Sequence, residues 1–556
     1  MSPRPHAVPT PAVRGEAPTV RHVADVLVIG GGPAGTWAAI KAVEGGARVV
    51  LADKGHCGTS GATAAAGTGV WYVEPDPAAR EKAMAAREGL GGYLADRGWM
   101  TRVLDETYAR VDELARVQRY PFPVDEHGRQ VRTGVQGPDY MRRQRLRVQR
   151  LGVTVLDHSP VLELLTDADG AVAGAAGVDL RTGERYEVRA GAVVLAAGAC
   201  AFRSRTLGCD VTTGDGALMA AEVGAHLSGM EFSTAYAIAP AFTSVTKTAY
   251  YAWATFYRAD GSVLEGAASQ GGRTAIAREL LGSPVYARLD KAEPGIRAQL
   301  RLGQPNFFLP FDRLGIDPFV DLFPVTLLLE ATVRGTGGVA VHGDDCSTGV
   351  PGLYVAGDTA TRELICGGFT GGGSHNAAWA MSSGSWAGAA AARFAIGLGA
   401  RAGARTVRTA GGAGVRPRVP GADGPSGAEL TRAVQAEVLP YDLNYLRHGD
   451  RLRPSLARLE ALWRAASDGL HPGRDAGARE VVATREAAAM TAHARWMYTA
   501  ALARTESRGM HKRADHPGQD PAQRRRLLVG GLDAVWSAPE APGRLGVADV
   551  EQEAVA

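Results

Sequence analysis

One stretch constrains this chain more than any other: Asp25-Val26-Leu27-Val28-Ile29-Gly30-Gly31-Gly32-Pro33-Ala34-Gly35, followed by residues to Glu44 and then by Val49-Val50-Leu51-Ala52-Asp53-Lys54. Apolar residues rich in valine and isoleucine read as a strand buried on both faces, and this one runs into glycines spaced GxGxxG. Gly30 permits a tight turn, Gly32 lets a pyrophosphate approach the backbone, and Gly35 lets the next helix pack closely on the strand. That helix, entered through Pro33 and Ala34, aims its free N–H groups and positive end at the phosphates. Asp53 closes a second strand about 20 residues downstream, where a carboxylate accepts hydrogen bonds from a ribose. Strand, glycines, helix, second strand and acid in register predict a dinucleotide-binding βαβ unit.

The rest of the chain is bounded by its size and charge. At 556 residues it exceeds one core, and about 100 to 200 residues per domain suggests three or so. A net charge of +3 on 119 charged residues asks for neither nucleic acid nor an anionic membrane. Cys57, Cys200, Cys209, Cys346 and Cys366 are scattered without a CxxC pair, so no metal or cluster site is expected. Residues 1–22, with five prolines and no signal-peptide core, read as a disordered leader. No run reaches the 18 or so apolar residues of a membrane span, and a cytoplasmic protein is expected.

Along the chain, Lys54 to Gly69 is crowded with small residues, against which a flat cofactor can lie. Residues 76–118 read as helices, and Val161 through Val188 as an antiparallel excursion. Ala192-Val193-Val194-Leu195-Ala196-Ala197-Gly198 and Gly352-Leu353-Tyr354-Val355-Ala356-Gly357-Asp358 are two more buried strands ending in glycine or acid. With the first unit they predict one nucleotide site assembled from distant segments. Residues 233–323 break the pattern and gain Tyr236, Tyr250, Tyr251, Trp253, Phe256 and Tyr257. These rings form either a substrate cap or the insertion's own core. A glycine-rich loop, Gly367 to Asn376, precedes a helix to Phe394 whose N-terminus suits an anion or carbonyl oxygen. Residues 399–427 read as a linker, and residues 429–508 are helical in pattern.

Five motifs in this order resemble the flavoprotein subunits of the succinate dehydrogenase and fumarate reductase superfamily, which includes L-aspartate oxidase and adenylylsulfate reductase. They are the GxGxxG unit, Ser60-Gly61-Ala62, Thr213-Gly214-Asp215-Gly216 with Met230-Glu231-Phe232, the GLYVAGD strand, and Arg504-Thr505-Glu506-Ser507-Arg508-Gly509-Met510-His511. The resemblance implies an α/β fold. It has a Rossmann-like FAD-binding domain (23–232 and 324–398), an inserted α+β capping domain (233–323), and, after the linker at 399–427, a C-terminal helical domain (428–512) and a tail (513–556). FAD would be held by Gly30, Gly32, Pro33, Ala34, Gly35, Asp53, Lys54, Thr59, Ser60, Gly61, Ala62, Gly198, Asp215, Asp358 and Ser374. Covalent relatives carry a histidine where Gly61 stands, so non-covalent FAD is implied, with His56 or Cys57 as an alternative tether.

For catalysis the resemblance singles out Arg273, which matches the proton-donating arginine of fumarate reductases and is otherwise a surface ion-pairing residue. A side chain whose intrinsic pKa exceeds about 12 can still deliver a proton beside a carbanion. Three dicarboxylate anchors of the family, two histidines and an arginine, correspond to Tyr236, Val333 and Thr370, so a simple C4 dicarboxylate is not expected. Arg334 could restore a carboxylate clamp, and His375 is either a polar contact at the site or a helix cap. The implied activity is hydride transfer between flavin N5 and a small carboxylate-bearing or aromatic molecule. The alternatives are an L-aspartate-oxidase-like amino-acid oxidase and a flavoprotein working with a separate ferredoxin-like iron–sulfur protein.

Overall fold

The computed structural model describes residues 11, 13, 18–246, 248–370, 373–419, 421–473 and 475–541. Most of the expected leader lies outside the described residues. From Val20 onward that segment is already strand β1 (Val20–Ile29), which ends in four fully or nearly fully buried residues, Val26 to Ile29. With no polar face to offer water, such a strand needs cover on both sides and partners on both edges. Cover comes from α1 (Pro33–Glu44), and one edge from β2 (Val49–Ala52), parallel with Val26 opposite Val49.

Between β2 and the return to the sheet, β3 (Gly67–Gly69), α2 (Pro77–Leu90), α3 (Arg97–Arg116), β4 (Gly134–Gln136) and α4 (Gly137–Arg150) wrap one side. Both α2 and α3 start on an aspartate cap: Asp76 accepts from the Ala79 N–H and Asp96 from the Trp99 N–H. Then β5 (Thr154–Leu156), β6 (Val161–Thr166), β7 (Val172–Val178) and β8 (Arg185–Leu195) complete the expected excursion. Strand β8 is long enough for two partners on one edge. Its first half pairs antiparallel with β7, its last three residues pair parallel with a later strand, and its other edge follows β1 throughout.

The insertion follows α5 (Asp215–Glu222) and β9 (Leu227–Ser228). It is built from β10 (Tyr236–Pro240), β11 (Thr255–Tyr257), α6 (Arg273–Glu279), β12 (Val285–Arg288), α7 (Pro294–Gly303), α8 (Pro305–Leu314) and β13 (Phe323–Leu329). Its antiparallel sheet has the order β10-β13-β12-β11, so the entering and leaving strands lie side by side as a stem. Of the two roles open to the aromatic residues, most take the internal one. Tyr250, Tyr251 and Phe256 stack with Phe307, Phe311 and Phe323, with Tyr250–Phe307 centroids 5.3 Å apart and Phe311–Phe323 4.8 Å apart.

After the insertion come α9 (Ala331–Arg334), β14 (Gly338–Val339), β15 (Leu353–Val355), which is the late partner of β8, α10 (Glu363–Cys366) and α11 (Ser374–Leu398). The segment read as a linker holds α12 (Arg401–Ala404) and β16 (Arg408–Thr409), and β16 pairs with β6. Glycine density hid this strand, since two residues are too few for any periodicity. Next are α13 (Gly427–Val438), opened by a capping box of Ser426 and Glu429, α14 (Gly449–Gly469) and α15 (Ala478–Ala503). Helix α15 is buried on every face. The tail supplies β17 (Leu527–Gly530) and β18 (Trp536–Pro539), which extend a sheet of order β14-β9-β17-β18. Among the described residues no helix is long and apolar enough to cross a membrane, and no group of three or more His, Cys, Asp or Glu could hold a metal.

What fixes α11 over the nucleotide unit is its contact with α1 through glycines. A Cβ on Gly384 would lie 2.3 Å from the Ala34 carbonyl oxygen, and one on Gly388 2.1 Å from that of Ala38. Gly388→Ala gains about 1 kcal/mol of helix propensity, but backbone cannot rotate aside, and overpacking costs about 1–3 kcal/mol. Urea unfolding of the variant should show a net loss of up to about 2 kcal/mol rather than the gain propensity alone predicts.

Candidate active site

The three glycines of the first loop are required for different reasons. Gly30 sits at φ +107°, and a Cβ there would lie 2.2 Å from the Ala196 carbonyl oxygen; a Cβ on Gly35 would lie 1.8 Å from that of Gly30. Those two are glycine because protein backbone occupies the space. Around Gly32 a Cβ would meet nothing within 4 Å. Its missing side chain leaves room in a cleft of about 1200 Å³, counted with the solvent at its mouth.

The walls of this cleft come from Gly30 to Ala34, Asp53, Lys54, Ser60 to Ala62, Ala197, Gly198, Asp215, Arg334, Asp358, Gly373 and Asn376, among others. Twelve of the fifteen expected cofactor residues are therefore brought together. Gly35 serves packing instead, Thr59 faces outward with its hydroxyl on His56, and the Ser374 hydroxyl meets the His375 ring; none of the three lines the cleft.

At one end, the Asp53 carboxylate accepts from the Gly31 N–H (2.6 Å), the Gly55 N–H (2.7 Å) and the Ser60 hydroxyl (2.8 Å), which fix its orientation. Lys54 is not available to a phosphate in the same way. Its ammonium donates to Asp215, to Glu486 on α15 (2.7 Å) and to the Thr213 hydroxyl (2.9 Å), so Lys54 and Asp215 neutralise each other in the wall. Cys57, with its Sγ on the Gly31 carbonyl and its thiol pushed up to about 12 by burial, is a structural residue rather than a reactive one.

The other end is organised by Arg362, which the sequence reading did not single out. Fully buried, it donates to Asp358 (2.6 Å) and to the carbonyls of Thr332 (2.8 Å), Val333 (3.1 Å) and Gly335. It thereby holds the α9 turn that presents Arg334 to the cleft. Enclosing protein pushes the Asp358 carboxyl up, while Arg362 and Arg334 pull it back. Burial disfavours the charge on Arg334, but Glu330 and Asp358 more than offset this, so the guanidinium stays charged. His493 steadies the same turn through the Thr332 hydroxyl (2.9 Å), and burial drives its pKa down to about 3, leaving a neutral ring.

Asn376 supplies a further group that the sequence reading passed over. Its amide N–H donates to the Val333 carbonyl (2.9 Å), while its Oδ1 is buried in the cleft wall without a partner among the described residues. An orphaned acceptor beside the N-terminus of a 25-residue helix fits the polar edge of a flat ring that offers both an N–H and carbonyl oxygens.

Two of the three expected catalytic residues lie away from the cleft. Arg273, half-buried on α6, donates to the Tyr236 carbonyl (2.7 Å) on the insertion's stem. His375 packs on Trp71, centroids 4.3 Å apart, and meets Arg87 of α2, which also donates to the Thr370 carbonyl (3.0 Å). Gly371 and Gly372 of that loop lie outside the described residues. Neither Tyr236 nor Val333 replaces a cationic anchor: the Tyr236 hydroxyl is buried against the Val438 and Leu439 carbonyls, and Val333 packs among Ala199, Ala201 and Cys209.

The chain is similar to known proteins in sequence and in fold. The FAD binding domain family matches residues 25–240, and the fumarate reductase flavoprotein C-terminal family matches residues 432–529. An L-aspartate oxidase of Streptomyces coelicolor is 28% identical, over 93% of both chains. By structure, an E. coli quinol fumarate reductase chain superposes with a TM-score of 0.79 at 20% identity, covering 96% of this chain and 99% of that one. Adenylylsulfate reductase from Archaeoglobus fulgidus gives 0.74 at 18% identity, covering 98% and 100%.

Because Gly32 faces open space, Gly32→Val should fold but fill the volume where the pyrophosphate meets the backbone. The purified variant should be colourless while its circular dichroism stays that of the flavin-free wild type. Its melting temperature should no longer rise on adding FAD, since a ligand that binds the native state stabilises it by mass action.

Proposed function

As a member of the succinate dehydrogenase and fumarate reductase flavoprotein superfamily, the chain is an FAD-dependent oxidoreductase, and we propose that it moves a hydride to or from a small carboxylate-bearing substrate held by Arg334. The bound flavin supplies the hydride acceptor or donor. Gly30 to Ala34 would hold its pyrophosphate, Asp53 the adenosine ribose and Asp358 the ribityl chain, while Asn376 and the start of α11 would hold the ring's polar edge. Non-covalent attachment is part of the reading, since Gly61 lines the cleft where covalent relatives carry histidine.

The observation that carries the substrate reading is Arg334 itself. It is a charged guanidinium in the cleft wall, held by Arg362 through the turn and offset by Glu330 at 3.7 Å, with the fork geometry that binds carboxylate bidentately. On this reading the aromatic insertion would close over this end to exclude water and bring Arg273 of α6, which lies away from the cleft here, to it as proton donor; its place in the sequence motif supports the role. A second carboxylate would find no cation at Tyr236, Val333 or Thr370. Leaving it unpaired costs a few kcal/mol, on the order of a hundredfold in rate. Succinate and fumarate are therefore poor substrates on this reading.

A second reading, an amino-acid oxidase, is favoured by the full-length similarity to L-aspartate oxidase; Arg334 would then grip an α-carboxylate. Peroxide formed by the isolated protein separates this reading from a dehydrogenase served by a ferredoxin-like iron–sulfur partner, which the superfamily's members suggest.

Acid precipitation should release the yellow colour into the supernatant. In anaerobic mixing with a panel of carboxylic and amino acids, the best substrate should bleach the flavin at least about a hundredfold faster than succinate. Arg334→Gln should keep FAD and lose about a hundredfold in kcat/KM, chiefly through KM. Arg273→Lys should instead lose about a hundredfold or more in kcat with KM little changed. Flavin reduction within a few-fold of wild type in either variant would remove that residue from the proposal.

A further inference from the structure

Five residues bury polar atoms that the reaction described above does not use. Arg362 Nε, Thr336 Oγ1, Glu363 Oε1, Glu231 Oε2 and both terminal nitrogens of Arg526 are buried without a hydrogen-bond partner among the described residues. The first four residues are 0% exposed and Arg526 is 6% exposed. An unpaired buried polar atom is costly, and several in one place are kept only where internal water satisfies them.

The residues that carry these atoms are joined to one another through their other groups. Arg362 starts at the cleft, donating to Asp358 at 2.6 Å, and its backbone N–H bonds the Thr336 carbonyl at 2.8 Å. Glu363, the next residue, accepts from the Ser228 hydroxyl at 2.6 Å. Glu231 and Arg526 both act on Glu363 electrostatically, and Glu231 is itself paired with Arg504 at 2.7 Å. At the far end Arg526 donates to Glu540 at 2.8 Å, a side chain 19% exposed. We propose that this line is an internal water-filled proton path from the cleft at Asp358 to solvent at Glu540, with Glu363 as the group that holds a proton midway.

The proposal rests on the redox reading for its purpose. Desaturation of a substrate removes one hydride and one proton; the hydride goes to the cofactor and the proton has to leave the cleft. Glu363, as carboxylate, accepts that proton from the water on its Arg362 side and releases it on its Arg526 side; reduction of a substrate runs the same transfers backwards. Burial raises the Glu363 carboxyl to about 8, reinforced by Glu231 and opposed by Arg526, the Ser228 hydroxyl and Arg504. The group thus titrates within the working pH range, as a relay needs.

Infrared difference spectra of the protein across a pH titration test this directly. A protonated-carboxyl band should disappear near pH 8 in the wild type and be absent from Glu363→Gln. In the FAD-loaded protein reduced by dithionite, proton uptake read by an indicator dye, after subtraction of the protons that dithionite oxidation releases, should keep pace with flavin bleaching, and in Glu363→Gln should lag by about tenfold or more. Stability follows with a defined sign. The native state keeps a proton that the unfolded chain has lost, so this contribution is complete below the ordinary carboxylate range and is lost as pH rises to about 8. Glu363→Gln should flatten that slope. A band that persists in Glu363→Gln, or uptake that does not lag, overturns the proposal. Should Glu363→Gln fail to fold, Ser228→Ala keeps the carboxyl and removes its hydroxyl donor; the band should then titrate at higher pH, and an unchanged titration is equally fatal. Dithionite needs no substrate and the infrared titration needs no flavin, so neither depends on the substrate assignment.

Discussion

Arg362 is the interaction on which the far end of the cleft depends. One guanidinium, removed from water, serves three backbone carbonyls of the α9 turn and the Asp358 carboxylate. A buried cation is tolerable only when its donors are met and an opposite charge stands near. Here the carbonyls that meet it belong to the turn whose next side chain faces the cleft. The insertion's exit is thereby fixed relative to the segment that joins β15 to α10. The positions of Arg334 and Asp358 are set from behind rather than by the groups they face.

Much of this fold is legible in the sequence, because its central unit is local. β1, its glycine turn, α1 and β2 occupy about thirty residues, so strand burial, turn chemistry and the spacing to Asp53 are all visible in one window. The late strand at 353–355 could likewise be placed by its apolar run and terminal acid. What the sequence hides is long-range. β16 is two residues that only β6 makes into a strand. β17 and β18 lie in a segment read as a tail, yet they complete a sheet begun by β9 three hundred residues earlier.

The site divides in the same way. Glycines announce themselves because the backbone needs them, and the structure adds only which of them serve the protein and which the ligand. Arg362 lies four residues after Asp358, a spacing at which a helical pair meets, so that signal was available. Asn376 gave none, since an orphaned acceptor exists only once its other atoms have found partners. Nor could sequence show that His375 and Arg87 meet, with α2 and α11 almost three hundred residues apart.

The stem of the insertion carries a mechanical consequence. β10 and β13 enter and leave side by side, which by itself would be a two-stranded neck free to bend. It is clasped from outside: the Tyr236 hydroxyl is bound by the carbonyls at the end of α13, and the Tyr441 hydroxyl donates to the Leu327 carbonyl on β13 (3.0 Å). The insertion is thus a lever whose fulcrum is gripped by a domain that contributes no wall to the cleft near Arg334. Any swing of the insertion about its stem has to strain or release that grip, which residues 438–441 exert from outside.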